Sequence, residues 1–204
     1  MSDLAPNHHA EFKQFGGVFG FLAALTMIPG RGRDARLAID LAGLGEDDRV
    51  LDIGCGPGSA VRLAADLCSR ATGLDPAEPM LSVARMLTRL RRPSGEIEWV
   101  CAGAEDMPLA DESVSVVWSI RSVHHWPDLA GGIGEVRRVL APDGRLVVVE
   151  SRSKPGATGL SSHGWTDPQA DSFAAMLVDA GFSTPVVTTH DSGRSGSISV
   201  SATI

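Results

Sequence analysis

"VLDIGCGPGSA", residues 50–60, sets three glycines and a proline where an apolar run gives way to a helical pattern. Val50, Leu51 and Ile53 read as a buried strand. Ser59 stands as the N-cap of a helix in which Val61, Ala64, Ala65 and Cys68 recur at helical spacing. Glycine inside a regular element costs about 0.5–1 kcal/mol relative to alanine, so three together mean that the backbone must be bare. Open α/β sheets take ligands at the carboxyl ends of their strands, and the N–H groups that open a helix can receive a negative group. Gly54, Gly56 and Gly58 are therefore expected to clear space for a ligand.

Outward from this turn the chain keeps alternating. "ATGLDP" reads as a second strand, and Met80, Val83, Ala84 and Leu87 mark a second helix. "IEWVCAG" and "VSVVWSI" read as strands three and four. Asp128 caps a helix with inner face Leu129, Ile133, Val136 and Leu140; "APDG" is a turn and "RLVVVE" the fifth strand. Asp167-Pro168 starts a helix striped with Phe173, Met176, Leu177 and Ala180, and Gly181 stops it. "PVVTTH" and "SISVSATI" close the chain as two strands. In the last, Ile198, Val200, Ala202 and Ile204 alternate with serines, the period of a half-buried strand. The link between the two is too short for a crossover helix, so they pair antiparallel. The expected fold is α/β: a mostly parallel sheet with helices on both faces and one antiparallel strand at the end.

The 204 residues suffice for one domain with a real core; 43% are hydrophobic and 21% charged, and the net charge is −7. An acidic balance argues against a nucleic-acid partner. Cys55, Cys68 and Cys101 lie in apolar segments without C-x-x-C spacing, which points to reduced thiols in the cytoplasm and to no metal site. The apolar run near the N-terminus is about 13 residues, short of the roughly 20 that span a membrane, and no signal peptide is recognised.

The second strand ends in Asp75, followed by Pro76. An acid there can accept hydrogen bonds from both hydroxyls of a ribose, each worth about 1.5–3 kcal/mol. Loop and acid together specify an adenosine-type ligand. A nicotinamide or flavin dinucleotide wants G-x-G-x-x-G; here the spacing is G-x-G-x-G, with Ser59 at the third-glycine position of the dinucleotide motif.

"VLDIGCGPG", "GLDP", "AEDMPLADESVSVVWS", "HHWPD" and "EVRRVLAPDGRLVVVE" follow in this order. Together they resemble the class I S-adenosylmethionine-dependent methyltransferases, specifically the type 11, ubiquinone/menaquinone-biosynthesis-like group, over about Asp34 to Glu150 and more weakly to Ile204. The resemblance implies a Rossmann-like three-layer α/β/α sandwich, with a seven-stranded mostly parallel sheet and an antiparallel last strand. It implies S-adenosylmethionine as cofactor and S-adenosylhomocysteine as product. Gly54, Cys55, Gly56 and Gly58 would hold the methionine part and Asp52 would approach its ammonium. Asp75, next to Pro76, would hold the ribose. Ala104 and Glu105 would face the adenine, and Ser119 and Ile120 would lie beside the methionine part. Many relatives carry an Asp just before that alanine; this chain has Gly103, and Glu105 or Asp106 would have to substitute.

His124 and His125 follow the fourth strand, where a substrate approaches, and either would serve as a general base; simple positioning is the alternative. Trp126 and Trp165 are candidate substrate walls, with core packing as the alternative. Residues 1–32 read as a helical extension and 33–204 as the methyltransferase domain. In the extension Phe12, Phe15, Phe19 and Leu22 form one apolar stripe and Val18, Phe21 and Leu25 another. Phe15 and Phe19 are expected to wall an apolar or aromatic small-molecule acceptor as part of a lid; a homodimer contact and a membrane-surface contact are the alternatives. A cofactor-binding protein without turnover and a nicotinamide-dependent oxidoreductase are the competing functions.

Overall fold

The computed structural model describes residues 32–156, 164–183, 185–191 and 196–204. The proposed lid, with Phe12, Phe15 and Phe19, lies outside the described residues, as do parts of the links at 157–163 and 192–195.

Seven strands form one sheet in the order β3-β2-β1-β4-β5-β7-β6. The strands are β1 (Arg49–Ile53), β2 (Arg70–Leu74), β3 (Glu96–Val100), β4 (Val114–Ile120), β5 (Leu140–Ser151), β6 (Val186–His190) and β7 (Ser197–Thr203). β1 to β5 are mutually parallel; β7 inserts between β5 and β6 and runs antiparallel to both. The helices are α1 (Gly32–Ala42), α2 (Ser59–Ala64), α3 (Glu78–Arg91), α4 (Leu129–Val139) and α5 (Asp167–Asp179), with a 3-10 turn at Val123–His125. This is the expected Rossmann-like sandwich.

Alternate residues of the central strands feed two cores. Leu51, Ile53, Val117, Leu146 and Val148 face Ile133 and Val136 of α4 and Phe173 and Leu177 of α5. Val50, Val116, Trp118, Val147 and Val149 face Ala35 and Ala38 of α1 and Val61 and Ala64 of α2. Strands covered on both faces read as continuous apolar runs, which is why β1, β4 and β5 were legible in the sequence.

Four details differ from the sequence reading. Gly58, in the left-handed region at φ 72°, is the N-cap of α2, and Ser59 is its first residue. Leu140 opens β5 instead of closing α4's inner face, because Asp143 at φ 62° absorbs the "APDG" turn as an irregularity inside a longer strand. β7 is not half-buried: Ser197 and Ser199 are buried too, since α1 covers that face and Asp34 accepts a hydrogen bond from Ser197 (3.0 Å). Cys101 is exposed, beyond the end of β3. Among the described residues no helix is long and apolar enough to cross a membrane.

At the amino ends of the strands Asp48 ties three elements together. It accepts from Ser115 Oγ (2.7 Å), the Gly45 N–H (2.9 Å) and the Arg145 guanidinium (2.6 Å). Burial pushes its carboxyl up, but those donors outweigh burial and hold it below the usual aspartate range. The lowered value means that folding favours the charged form. Its contribution is complete above the unfolded-state value and fades as pH falls through the folded one. Asp48→Asn should cost about 1 kcal/mol at neutral pH, and the gap to the parent should close below about pH 4. Urea denaturation across that pH range checks this; a gap independent of pH contradicts it.

Candidate functional site

The carboxyl ends of β1, β2 and β4 meet at the glycine turn. The Gly54 and Cys55 N–H groups both donate to the Leu74 carbonyl, at 2.8 and 3.1 Å. Asp75 holds the turn from the side: Oδ2 accepts the Gly56 N–H at 2.8 Å and Oδ1 the Ala77 N–H at 2.9 Å. Arg62, buried on α2, donates to the Pro57 carbonyl at 2.7 Å. Gly54, Gly56 and Gly58 all have positive φ (71°, 53° and 72°), which bulkier residues adopt only with strain.

The expectation that all three glycines clear room for a ligand needs correction at two of them. A Cβ on Gly54 would stand 1.7 Å from Ser122 Oγ, and one on Gly58 would stand 2.1 Å from the Trp99 ring. Trp99 also covers Gly73, where a Cβ would lie 2.5 Å from the same ring. One indole thus fills the space left by two glycines, in β2 and at the head of α2. Bareness at 54 and 58 serves turn geometry and packing.

Two carboxylates and a guanidinium act on the Cys55 thiol in the turn. Burial pushes the Cys55 thiol well up, and the charges of Asp52 and Asp75 push it further. Cys55 is therefore a neutral thiol. Asp52 is buried in β1. Ser119 is buried in β4 and donates to the Ile53 carbonyl at 3.1 Å, with Ile120 beside it.

After β4 the chain turns sharply at Arg121 (φ 54°), whose guanidinium pairs with Asp34 of α1 at 2.6 Å. The 3-10 turn that follows carries the two histidines. His124 Nδ1 lies 2.8 Å from Glu150 Oε2, and the two imidazole centroids are 3.9 Å apart. Glu150, next to last in β5, is wholly buried, while the His124 side chain is 15% exposed. His125 is the more exposed of the pair.

Trp126 and Trp165 belong to the core. Trp165 is 3% exposed and packs on Phe173 at 4.8 Å between ring centroids. Trp126 is 8% exposed and lies against Gly132 of α4. The adenine-facing candidates Ala104 and Glu105 sit in the link from β3 to β4, Ala104 buried and Glu105 exposed. A Cβ on Gly103 would stand 2.8 Å from the Glu105 carboxyl, so that carboxyl occupies the space of the missing side chain.

The sequence reading missed Glu150, Trp99, Ser122 and Arg62. Glu150 had a signal: it is an acid that follows an apolar run, as Asp75 directly follows β2.

Fold and turn together define a Rossmann-like domain whose strands β1, β2 and β4 present their carboxyl-end loops to one site. Residues 51–148 match the family described as "Methyltransferase domain". The matched segment is similar to the class I S-adenosylmethionine-dependent methyltransferases of the type 11 group. It is 35% identical over 131 residues to a 27-O-demethylrifamycin SV methyltransferase of Amycolatopsis mediterranei, covering 62% of this chain and 48% of that protein. It is also 35% identical over 128 residues to the demethylmenaquinone methyltransferase of Thermus thermophilus, covering 61% and 57%. The chain thus spans about half the length of the curated relatives it matches. Its fold superimposes on the crystal structure of a SAM dependent methyltransferase from Aquifex aeolicus with a TM-score of 0.74, at 19% identity, over 90% of this chain and 98% of that one.

Proposed function

We propose that this protein transfers a methyl group from S-adenosylmethionine, by in-line displacement, to an apolar or aromatic small molecule in the cytoplasm. The observation that carries the reading is the turn at Gly54–Gly58, held by Asp75 beside buried Asp52 where the strands end. Two carboxylates with enough reach to raise the Cys55 thiol suit a cofactor that bears both a sulfonium and an ammonium. When bound, that cofactor supplies an electrophilic methyl group, and the protein's main task is to aim a nucleophile at it, a positioning effect worth up to about 7–11 kcal/mol.

In this reading Asp52 takes the ammonium and the turn at Gly54, Cys55, Gly56 and Gly58 cradles the methionine part. Asp75 spends its remaining lone pairs on the ribose hydroxyls, next to Pro76. Ala104 offers its N–H to the adenine ring, and the Glu105 carboxyl, folded back over Gly103, accepts the adenine amino group. Ser119 and Ile120 back the methionine part. His124, oriented by Glu150, takes the acceptor's proton when that acceptor is a hydroxyl. The net charge of −7 disfavours a nucleic-acid acceptor, and relatives named for demethylrifamycin and demethylmenaquinone point toward small molecules.

Calorimetry tests the cofactor assignment. S-adenosylmethionine and S-adenosylhomocysteine should both bind, and NADH should not. Tight NADH binding with no response to either sulfur ligand overturns the proposal.

A further inference from the structure

The link from β3 to β4 is braced by a single arginine on α4. Arg138 Nε donates to Glu135 Oε1 at 2.7 Å. Its Nη1 donates to the Leu109 carbonyl and to Asp111 Oδ1, both at 2.7 Å. Its Nη2 donates to the Met107 carbonyl at 2.9 Å and to Glu135 Oε2 at 2.7 Å. All of the N–H donors a guanidinium possesses are thereby used. Glu135 Oε2 also accepts the Met107 N–H at 2.9 Å, and the Arg138 carbonyl accepts the Glu112 N–H at 2.9 Å. An isolated exposed ion pair contributes little, but this one grips backbone at three successive points of the link. A second contact holds the link's beginning: a Cβ on Gly132 of α4 would stand 2.6 Å from the Trp126 ring and 3.5 Å from the Ala104 Cβ. Helix α4 therefore fixes the link on both sides of Glu105.

We propose that Glu135 and Arg138 are positioning residues for nucleobase recognition: by holding Met107 to Glu112 against α4 they aim Ala104 and Glu105 at the base. This rests on the cofactor reading above. The motif "EVRRVL", otherwise only the end of a helix, thereby acquires a role at the site. Lysine cannot reproduce it, because an ammonium lacks the planar fork that reaches two carbonyls and two carboxylates together.

The test titrates S-adenosylhomocysteine and its inosine counterpart against the full chain, Arg138→Lys and Glu135→Gln. The parent should prefer the adenine ligand. Arg138→Lys should bind it about tenfold more weakly, the size of one lost charged hydrogen bond, and lose less than about threefold for the inosine ligand. Glu135→Gln should shift in the same direction. Amide hydrogen exchange at 103–112 should quicken while β1 and β4 stay protected. Equal losses for both ligands, or no loss in either variant, overturn the proposal, since a merely structural role would not change the preference. A parent that binds both ligands alike also overturns it. A parent that binds neither overturns the cofactor reading itself. If Arg138→Lys fails to melt cooperatively, Glu135→Gln, which keeps an oxygen for the Met107 N–H, is judged by the same criteria.

Discussion

His124→Ala should lower methyl transfer by about 10²–10⁴-fold, the usual contribution of a positioned general base, while S-adenosylhomocysteine binds as before. The expectation comes from the 2.8 Å contact between His124 Nδ1 and Glu150 Oε2. In the proposed reading an ionised Glu150 accepts from Nδ1–H, and Nε2 serves as the base. The contact with buried Glu150 holds the ring's direction. Glu150→Gln should therefore resemble His124→Ala in rate, because an amide can present either an oxygen or an N–H to Nδ1. His125→Ala should cost less than about threefold, since general-base loss is the larger effect and His125 is the more exposed ring. Cofactor titration separates chemistry from support: S-adenosylhomocysteine affinity should stay unchanged in both histidine variants. Full activity in His124→Ala would leave positioning alone as the source of catalysis.

The alternation of strands and helices, and with it both helical layers, was legible because β1, β4 and β5 are covered on two faces and spell themselves as unbroken apolar runs. Asp75 stood out because a carboxylate directly follows an apolar strand, and the fold gives it a structural task as a clasp for the Gly56 and Ala77 N–H groups. The glycine turn was recognised, but its cause was half misread. A sequence shows that a side chain is missing, and only the fold shows what fills the space, here Ser122 over Gly54 and Trp99 over Gly58 and Gly73. The half-buried reading of β7 failed for a related reason. Serine alternation looks like a solvent face until Asp34, far away in the chain, turns Ser197 into a buried hydrogen-bond donor. Trp126 shows the limit of reading composition near a site. An indole six residues past the end of β4 resembles a pocket wall, yet it packs in the core against Gly132 of α4, close to Ala104.

Asp75→Ala should weaken cofactor binding by about 1.5–3 kcal/mol, roughly 10- to 150-fold, if the ribose hydroxyls meet this carboxylate as charged hydrogen-bond donors. The same substitution strips acceptors from the Gly56 and Ala77 N–H groups, so the turn loosens and some affinity would fall without any ribose contact. A cycle separates the two causes. S-adenosylhomocysteine and an analogue lacking the ribose hydroxyls are each titrated against parent and variant. Direct contact makes the hydroxyls valuable to the parent and nearly worthless to Asp75→Ala, so the two losses do not add. A loosened turn alone lowers both ligands by the same factor, and the losses then add fully. Asp75→Asn sharpens the distinction. Its amide keeps one oxygen for a backbone N–H but loses the charge, so it should melt closer to the parent than alanine does and still bind the cofactor weakly. Parent-like affinity in a folded Asp75→Asn would remove the carboxylate's charge from the recognition of the ribose and leave Asp75 as a clasp for Gly56.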